Sequence, residues 1–357
     1  MPLLYRLILL VFLASGSALA QGAPPPLTRI AFGSCADEEK PQPIWDAVLA
    51  YRPELFLFLG DNVYGDVRNG RNVPEPELIE SLQQSYALAT KVPGMARLRS
   101  TVPHLATWDD HDYGLNDAAG DFPAREVSER VFETFWRDAA LGGGHPGVYG
   151  ARIYGPPGYR VQVILLDTRF FRSAFRRSDT PDAAGYRPYL ADPDPSKTML
   201  GEAQWAWLAQ ELRKPAEIRL VVSSIQVLAD GHPAERWGAL PREQDRLQRT
   251  IAETGARGVV LLSGDRHVGA IYRRSASAGY PLHELTASSL NLATPRVSPE
   301  SSAGQIGAVV TPANFGAVEI DWPRATLTLS VRGMDGAPHR RLAIPFARLG
   351  LPSRAGS

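Results

Sequence analysis

The chain has 357 residues, 44% hydrophobic and 21% charged, enough to bury a sizeable core in one large α/β domain or two ordinary ones. Lys+Arg and Asp+Glu balance at 38 each, so no net basic surface argues for a nucleic-acid partner. A single cysteine, Cys35, excludes an internal disulfide framework.

At the N-terminus Arg6 precedes an apolar stretch, Leu7 to Ala14, and Ala18-Leu19-Ala20 supplies small residues at cleavage spacing. Residues 1–20 therefore read as a secretory signal peptide, with the mature chain starting at Gln21 and working in the periplasm or outside the cell. The apolar run is short for a membrane span, so none is expected after cleavage. No twin arginine is present, which points to export unfolded and metal loading outside the cytoplasm. In an oxidising compartment Cys35 is then a buried small residue or a thiolate protected by a metal.

After Pro24-Pro25-Pro26, Leu27 to Phe32 reads as a first strand ending in Gly33-Ser34-Cys35. Pro43 to Leu49 has helical spacing. Leu55 to Leu59 is an unbroken apolar run of strand length, the pattern of a strand covered on both faces. Gly60 ends it, and Asp61 and Tyr64 follow at the carboxyl edge, where open α/β sheets bind ligands. Parallel pairing in this β-α-β unit sets Cys35 beside Asp61.

Glu75 to Leu98 is helical with an interruption at Pro93-Gly94, and His104 to Thr107 is a short strand. That strand runs into Trp108-Asp109-Asp110-His111-Asp112, then Asn116 and Asp117, a cluster that repels itself without a cation or shared protons. Val127 to Ala139 is an amphipathic helix. Tyr159 to Leu166 is a strand ending in Asp167-Thr168-Arg169, and Phe170 to Ser196 is a long excursion of the kind that forms lids or substrate walls. Gly201 to Leu212 is a helix and Ile218 to Ser224 a strand, followed by His232, either a ligand or a loop histidine. A charged helix, Arg242 to Thr254, leads to the strand Gly258 to Leu262, ending in Ser263-Gly264-Asp265-Arg266-His267. Leu282 to Ser289, Gly316 to Asp321 and Ala325 to Val331 are strands without intervening helices, the last alternating as a half-exposed antiparallel strand does. No linker follows residue 27, so one domain is expected over 27–350.

Four strand ends thus carry Cys35, Asp61 with Tyr64, Asp110-His111 with Asn116, and Asp265 with His267, the pattern of a dinuclear metal site. Thiolate and phenolate suit a ferric ion, while carboxylate and amide oxygens suit a hard divalent ion such as Ca²⁺. A zinc-only site rarely has so mixed a donor set. Two metals would clamp a phosphoryl oxygen and activate water. His111 is the candidate proton donor to the leaving group, with Asp110 beside it. Arg169 is the candidate for holding a non-bridging phosphate oxygen, or else pairs with Asp167.

The segments GSC at 33–35, GDNVYGD at 60–66, WDDHDYGLND at 108–117, LLDTRFFR at 165–172 and LLSGDRH at 261–267 resemble the alkaline phosphatase D (PhoD-like) metallophosphatases across residues 27 to 345. The resemblance implies a four-layer αββα metallophosphatase sandwich with mixed sheets and an Fe³⁺ and Ca²⁺ centre acting on small-molecule phosphate esters. It implies Cys35, Asp61 and Tyr64 on the iron side, Asn116 on the calcium side, and Asp265 and His267 closing the site, with Asp61 as the bridge. DDHD stands where the wider superfamily has GNHE. Some members carry an N-terminal β-sandwich, whereas here the first expected strand follows the leader. Two rival functions follow from the same residues. One is a non-catalytic metal- or phosphate-binding protein. The other is a glycoside hydrolase using carboxylates among Asp109, Asp110 and Asp112, which leaves Cys35 and Tyr64 without a purpose.

Overall fold

Alternate residues of the apolar strands serve two different cores, and that division sets the architecture. The structure, a computed structural model, describes residues 25–182, 185–294 and 303–352; the expected leader, 1–20, lies outside the described residues. In chain order the first elements are β1 (Arg29–Gly33), α1 (Ile44–Tyr51), β2 (Leu55–Leu59), the two-residue strands β3 (Val67–Arg68) and β4 (Arg71–Asn72), α2 (Leu78–Ala89), α3 (Pro93–Thr101) and β5 (His104–Thr107). Next come α4 (Asp110–Tyr113), α5 (Arg125–Trp136), β6 (Gly150–Tyr154), β7 (Val161–Leu165), the short β8 (Arg176–Arg177) and β9 (Tyr189–Leu190), α6 (Gly201–Arg213) and β10 (Ile218–Ser223). The chain closes with α7 (Pro241–Glu253), β11 (Val259–Ser263), β12 (Gly269–Arg274), β13 (Leu282–Ala287), β14 (Asn314–Asp321), β15 (Thr326–Gly333) and β16 (Pro338–Pro345).

Two six-stranded sheets result, ordered β16-β15-β14-β1-β2-β5 and β12-β13-β11-β10-β7-β6. Each is mixed. In the first sheet β1, β2 and β5 run parallel while β14 joins β1 antiparallel. In the second β7, β10, β11 and β13 run parallel, edged by antiparallel β6 and β12.

Leu55, Leu57 and Leu59 pack in one cluster with Val163, Leu165, Leu220, Val222 and Leu262 of the other sheet, forming the inter-sheet core. Phe56 and Phe58 of the same strand turn the opposite way, into a cluster with Trp45 of α1, Leu82 of α2 and Trp136 of α5. Ile164, Val221 and Leu261 do likewise for the second sheet, against α6 and α7. The order helix, sheet, sheet, helix is therefore written in the two-residue period of strands whose apolar run is continuous because both faces are covered. Phe58 lies 4.6 Å from the Trp136 ring and 6.0 Å from Trp45; burying such a side chain contributes about 1.5–3 kcal/mol.

The expected elements are found with small shifts. Pro93 begins α3 at its first turn rather than breaking a helix, a position where its missing N–H costs nothing. Ala325 is excluded from β15 by a left-handed φ of 48°. The hairpin partners β6, β12 and β16 carry little apolar pattern: β16 is mostly exposed along PHRRLAIP.

Candidate metal centre

The parallel strands of both sheets deliver their carboxyl ends to one place. Thr107, closing β5, donates from Oγ1 to the Leu166 carbonyl just beyond β7 (3.1 Å). Gly264, just beyond β11, donates its N–H to Ser224 O beyond β10 (2.9 Å). Two glycines allow this convergence. A Cβ at Gly60 would lie 2.5 Å from Asp109 Cβ, and one at Gly264 would lie 2.6 Å from Ser34 Oγ. The next residues pay a backbone cost instead: Cys35, Asp61, Asp265 and His267 adopt φ of 62°, 49°, 70° and 56°. Left-handed conformations in non-glycine residues persist where the surroundings enforce them, and they concentrate at functional sites.

Asp61 is the hub. Its Oδ2 accepts from Cys35 Sγ (3.4 Å) and from the Tyr64 hydroxyl (3.0 Å). The same hydroxyl lies 3.3 Å from His267 Nε2. Four groups of potential ligands have donor atoms within 4.8 Å of one another: Cys35, Asp61 and His267; Asp61, Asp110 and His111; Asp109, Asp110 and Asp265; and Asp110, Asp117 and Glu235. Asp61 belongs to two of them and Asp110 to three, so the groups form a continuous chain rather than separate sites.

Their electrostatics call for a cation. Burial, reinforced by neighbouring carboxylates, pushes Asp61 and Asp265 well above the usual carboxylate range. Burial and Asp61 likewise raise the Cys35 thiol and the Tyr64 phenol. Asp109 Oδ2 and Asp110 Oδ1 are buried without a hydrogen-bond partner. Orphaned carboxylate oxygens facing further carboxylates are costly unless metal or proton relieves them. Thiol, phenol, imidazole and carboxylates in this contact fit bound metal.

His111 sits at the mouth, half-buried. Its Nδ1 lies 2.6 Å from Asp66 Oδ1, and its ring lies 4.2 Å from the Tyr64 ring. Burial opposes its charge, yet Asp110, Asp61 and Asp66 together hold the imidazole protonated well above its ordinary range. Asp110 goes the other way: burial raises it, but His111 and Arg169 outweigh that and keep it ionised.

Two expected site residues sit differently from the expectation. Asn116 is exposed, and its backbone N–H donates to Asp66 Oδ2 (2.9 Å). Arg169, expected to face substrate, is 0% exposed. Its guanidinium reaches Asp109 Oδ1 (2.5 Å), Glu235 Oε2 (2.6 Å) and, more distantly, Asp110 Oδ1 (3.7 Å). Asp167, the alternative partner, instead accepts the backbone N–H groups of Arg169 and Phe170 and the Trp108 indole N–H. Arg169 therefore braces Asp109 and Asp110 from behind.

Several residues that hold the site have a role that the sequence did not assign to them. Asp112 accepts from the backbone N–H groups of Asp61 (3.2 Å), Asn62 (3.2 Å) and Asp109 (2.6 Å), tying two strand ends together; burial lifts it to about 7. With its oxygens committed to the backbone it offers no acid for sugar chemistry. Glu235 pairs with both Arg169 and Arg172. Asp117 gives its N–H to Asp110 Oδ2 (2.7 Å) and accepts from Tyr189 (2.7 Å) and Arg177 (2.5 Å). The long 170–196 excursion is thereby tied to the site. Asp66 had a signal, as the second aspartate of GDNVYGD. Glu235 had none, being a lone acid in a loop. His232 is buried with both ring nitrogens unpartnered, and burial with Arg266 and Arg236 nearby keeps it neutral; it is in none of the ligand groups among the described residues.

A family model described as PhoD-like phosphatase matches residues 30–141 and 145–320. No curated protein matches the chain. A structure of PhoD superposes with a TM-score of 0.67 at 17% identity, covering 91% of this chain and 69% of that one. Purple acid phosphatase PPD1 from yellow lupin (Lupinus luteus) seeds gives 0.60 at 10% identity over 92% of this chain and 56% of its own. GAP50, described as the anchor in the inner membrane complex of Plasmodium, gives 0.55 at 10% identity over 90% and 89%. At these identities the three structures establish a shared fold. No helix among the described residues is long and apolar enough to cross a membrane.

Proposed function

The chain belongs to the PhoD-like phosphatase family, and from that premise we propose that it is an exported phosphoric-ester hydrolase with an iron-calcium centre. The observation that carries this reading is the run of ligating side chains linked through Asp61 and Asp110, in which carboxylates outnumber the protonated His111. Cys35, Asp61, Tyr64 and His267 would hold the ferric ion, since thiolate and phenolate favour a highly charged metal. Asp61, Asp110 and Asp265 would hold Ca²⁺ or another divalent ion through carboxylate oxygens. Asp110 is thus read as a ligand, and Asn116 as part of the surrounding loop. When bound, such ions supply Lewis acidity to a phosphate ester and lower the pKa of water.

The protein's own groups complete the chemistry. Asp66 fixes His111 through Nδ1, leaving Nε2 to carry the proton for a departing alkoxide. Asp112 and the Arg169–Asp109 pair keep the strand ends at fixed separation. The 170–196 loop, tied down through Tyr189 and Arg177, forms a wall that would admit or refuse a second ester substituent. Catalysis and metal binding fall within one domain, 27–350, and the N-terminal 20 residues serve as the leader.

Elemental analysis of the protein exported from its own host type, paired with phosphate release from p-nitrophenyl phosphate and bis(p-nitrophenyl) phosphate, tests this. About one iron with calcium per chain and turnover of either ester supports it. Zinc alone, or no metal at saturating supply, overturns the iron-calcium assignment. A metal-loaded protein without turnover on either ester favours the second reading, a non-catalytic metal- or phosphate-binding protein.

A further inference from the structure

Away from the metal centre, α2, α3 and α5 enclose a cleft of about 700 Å³. A second hollow of about 470 Å³ adjoins it across Arg99, Trp136 and Arg137. The larger volume lies within the roughly 300–1,000 Å³ typical of small-molecule sites. Its floor is aromatic: Tyr86 and Phe135 pack with centroids 4.4 Å apart, and Phe135 meets Trp136 edge-on at 5.0 Å. Its charged groups are cationic. Arg99, Arg130 and Arg137 line it, and no acidic side chain does so among the described residues.

Arg99 is the most constrained of the three. Its guanidinium lies 4.0 Å over the Phe135 ring and 4.9 Å from that of Trp136. One amino group donates to the Phe135 carbonyl (3.2 Å), while Nε is buried without a partner. Among the described residues it has no carboxylate partner; the charge it faces is Arg137. Arg169 and Arg172, by contrast, are buried against a carboxylate. A stacked, half-buried guanidinium with free donors is suited to a planar anion. The Tyr86 hydroxyl and the Trp136 indole N–H, both buried, also make no hydrogen bond of ordinary geometry.

We propose that this cleft binds an aromatic organic anion, its ring on the Tyr86–Phe135–Trp136 floor and its acidic group on Arg99 and Arg130. The charge complementarity is local, since the chain as a whole carries none in excess. The site shares no residue with the metal centre and does not depend on the reading of that centre.

The test is a fluorescence titration of the full protein with 1-anilinonaphthalene-8-sulfonate, compared with the neutral N-phenyl-1-naphthylamine. One saturable anion site is expected, with the neutral probe at least tenfold weaker. Arg99→Gln should weaken the anion at least tenfold, Arg99→Lys less, and Arg130→Gln a few-fold. Ala87→Trp, which fills the cleft from an exposed position on α2, should abolish binding while leaving phosphate release unchanged. Equal affinity for the neutral probe overturns the proposal. So does binding unmoved by both Arg99→Gln and Ala87→Trp, or displaced by inorganic phosphate, which would place the probe at the metal centre.

Discussion

Two clusters of buried charge lie side by side at the same sheet edge, and they are solved in opposite ways. In one, Asp109 and Glu235 enclose Arg169, and Glu235 reaches on to Arg172; the protein supplies its own counter-charges. In the other, Asp61, Asp110 and Asp265 face Cys35 and Tyr64, an oxygen of Asp110 is orphaned, and His111 and the more distant Arg169 offset Asp110 while Asp61 and Asp265 stay raised. The first arrangement carries its own cations, although single oxygens of Asp109 and Glu235 stay without a hydrogen bond. The second has too few, and the contrast between neighbours separates the acids read as braces from those proposed as ligands.

The largest effect that sharpens this contrast is at Asp61. Asp61→Asn should abolish metal retention and turnover, while the metal-free variant melts at or above the metal-free parent, because a buried uncompensated carboxylate has been removed. Elemental analysis and thermal melts with and without chelator check this; a metal-free variant that melts well below the parent breaks the comparison. Glu235→Gln should do the reverse. Leaving Arg169 and Arg172 short of a partner costs about 3–5 kcal/mol, measured by denaturant unfolding of the metal-free protein, with metal stoichiometry kept.

Smaller effects lie at the border. Asp66→Asn loosens His111 without touching the ligands, so kcat should fall roughly 10–100-fold with metal content and KM held; a variant as active as the parent removes His111 from proton transfer. Far from both clusters, burial and nearby Arg273 depress His283 to about 4, below its ordinary 6.5. A base depressed in the folded state contributes stability that is present above pH 6.5 and lost as pH falls toward 4, because the unfolded chain takes the proton first. His283→Gln should flatten that acid limb of the metal-free protein; an unchanged slope between pH 6.5 and 4 assigns it to other groups.

Much of this was legible in the chain. The strands ending in Cys35, Asp61, Asp110 and Asp265 were readable because doubly covered strands are continuous apolar runs and their next residues are polar. The contact of Cys35 with Asp61 followed from the parallel pairing of β1 with β2, whereas His267 comes to Tyr64 from the second sheet. The roles of Arg169 and Asn116 did not follow, since spacing along a loop does not say which way a side chain turns. A guanidinium at a strand end can face solvent or the interior, and here Asp109 and Glu235, 60 residues before it and 66 after it, turn it inward. The bracing role of Asp112 was hidden for a related reason: most of its partners are backbone N–H groups, which leave no mark in composition. The edge strands β6 and β16 were missed because half-exposed segments lack the pattern that burial imposes.

The pairing of β14 with β1, Glu319 beside Arg29, has a consequence for how the molecule comes into being. Strand β1 is among the first pieces of the sheet to emerge during synthesis, yet one of its edges stays open until nearly the whole chain exists. Closing so wide a loop is entropically slow, and an open apolar edge meanwhile invites pairing with other chains. Cys35 and Asp61, proposed as ligands, sit just beyond the ends of β1 and β2, in the half of the sheet that waits. Final geometry at the ligand edge is thus a late event in folding, and the chain's last strands act as the latch.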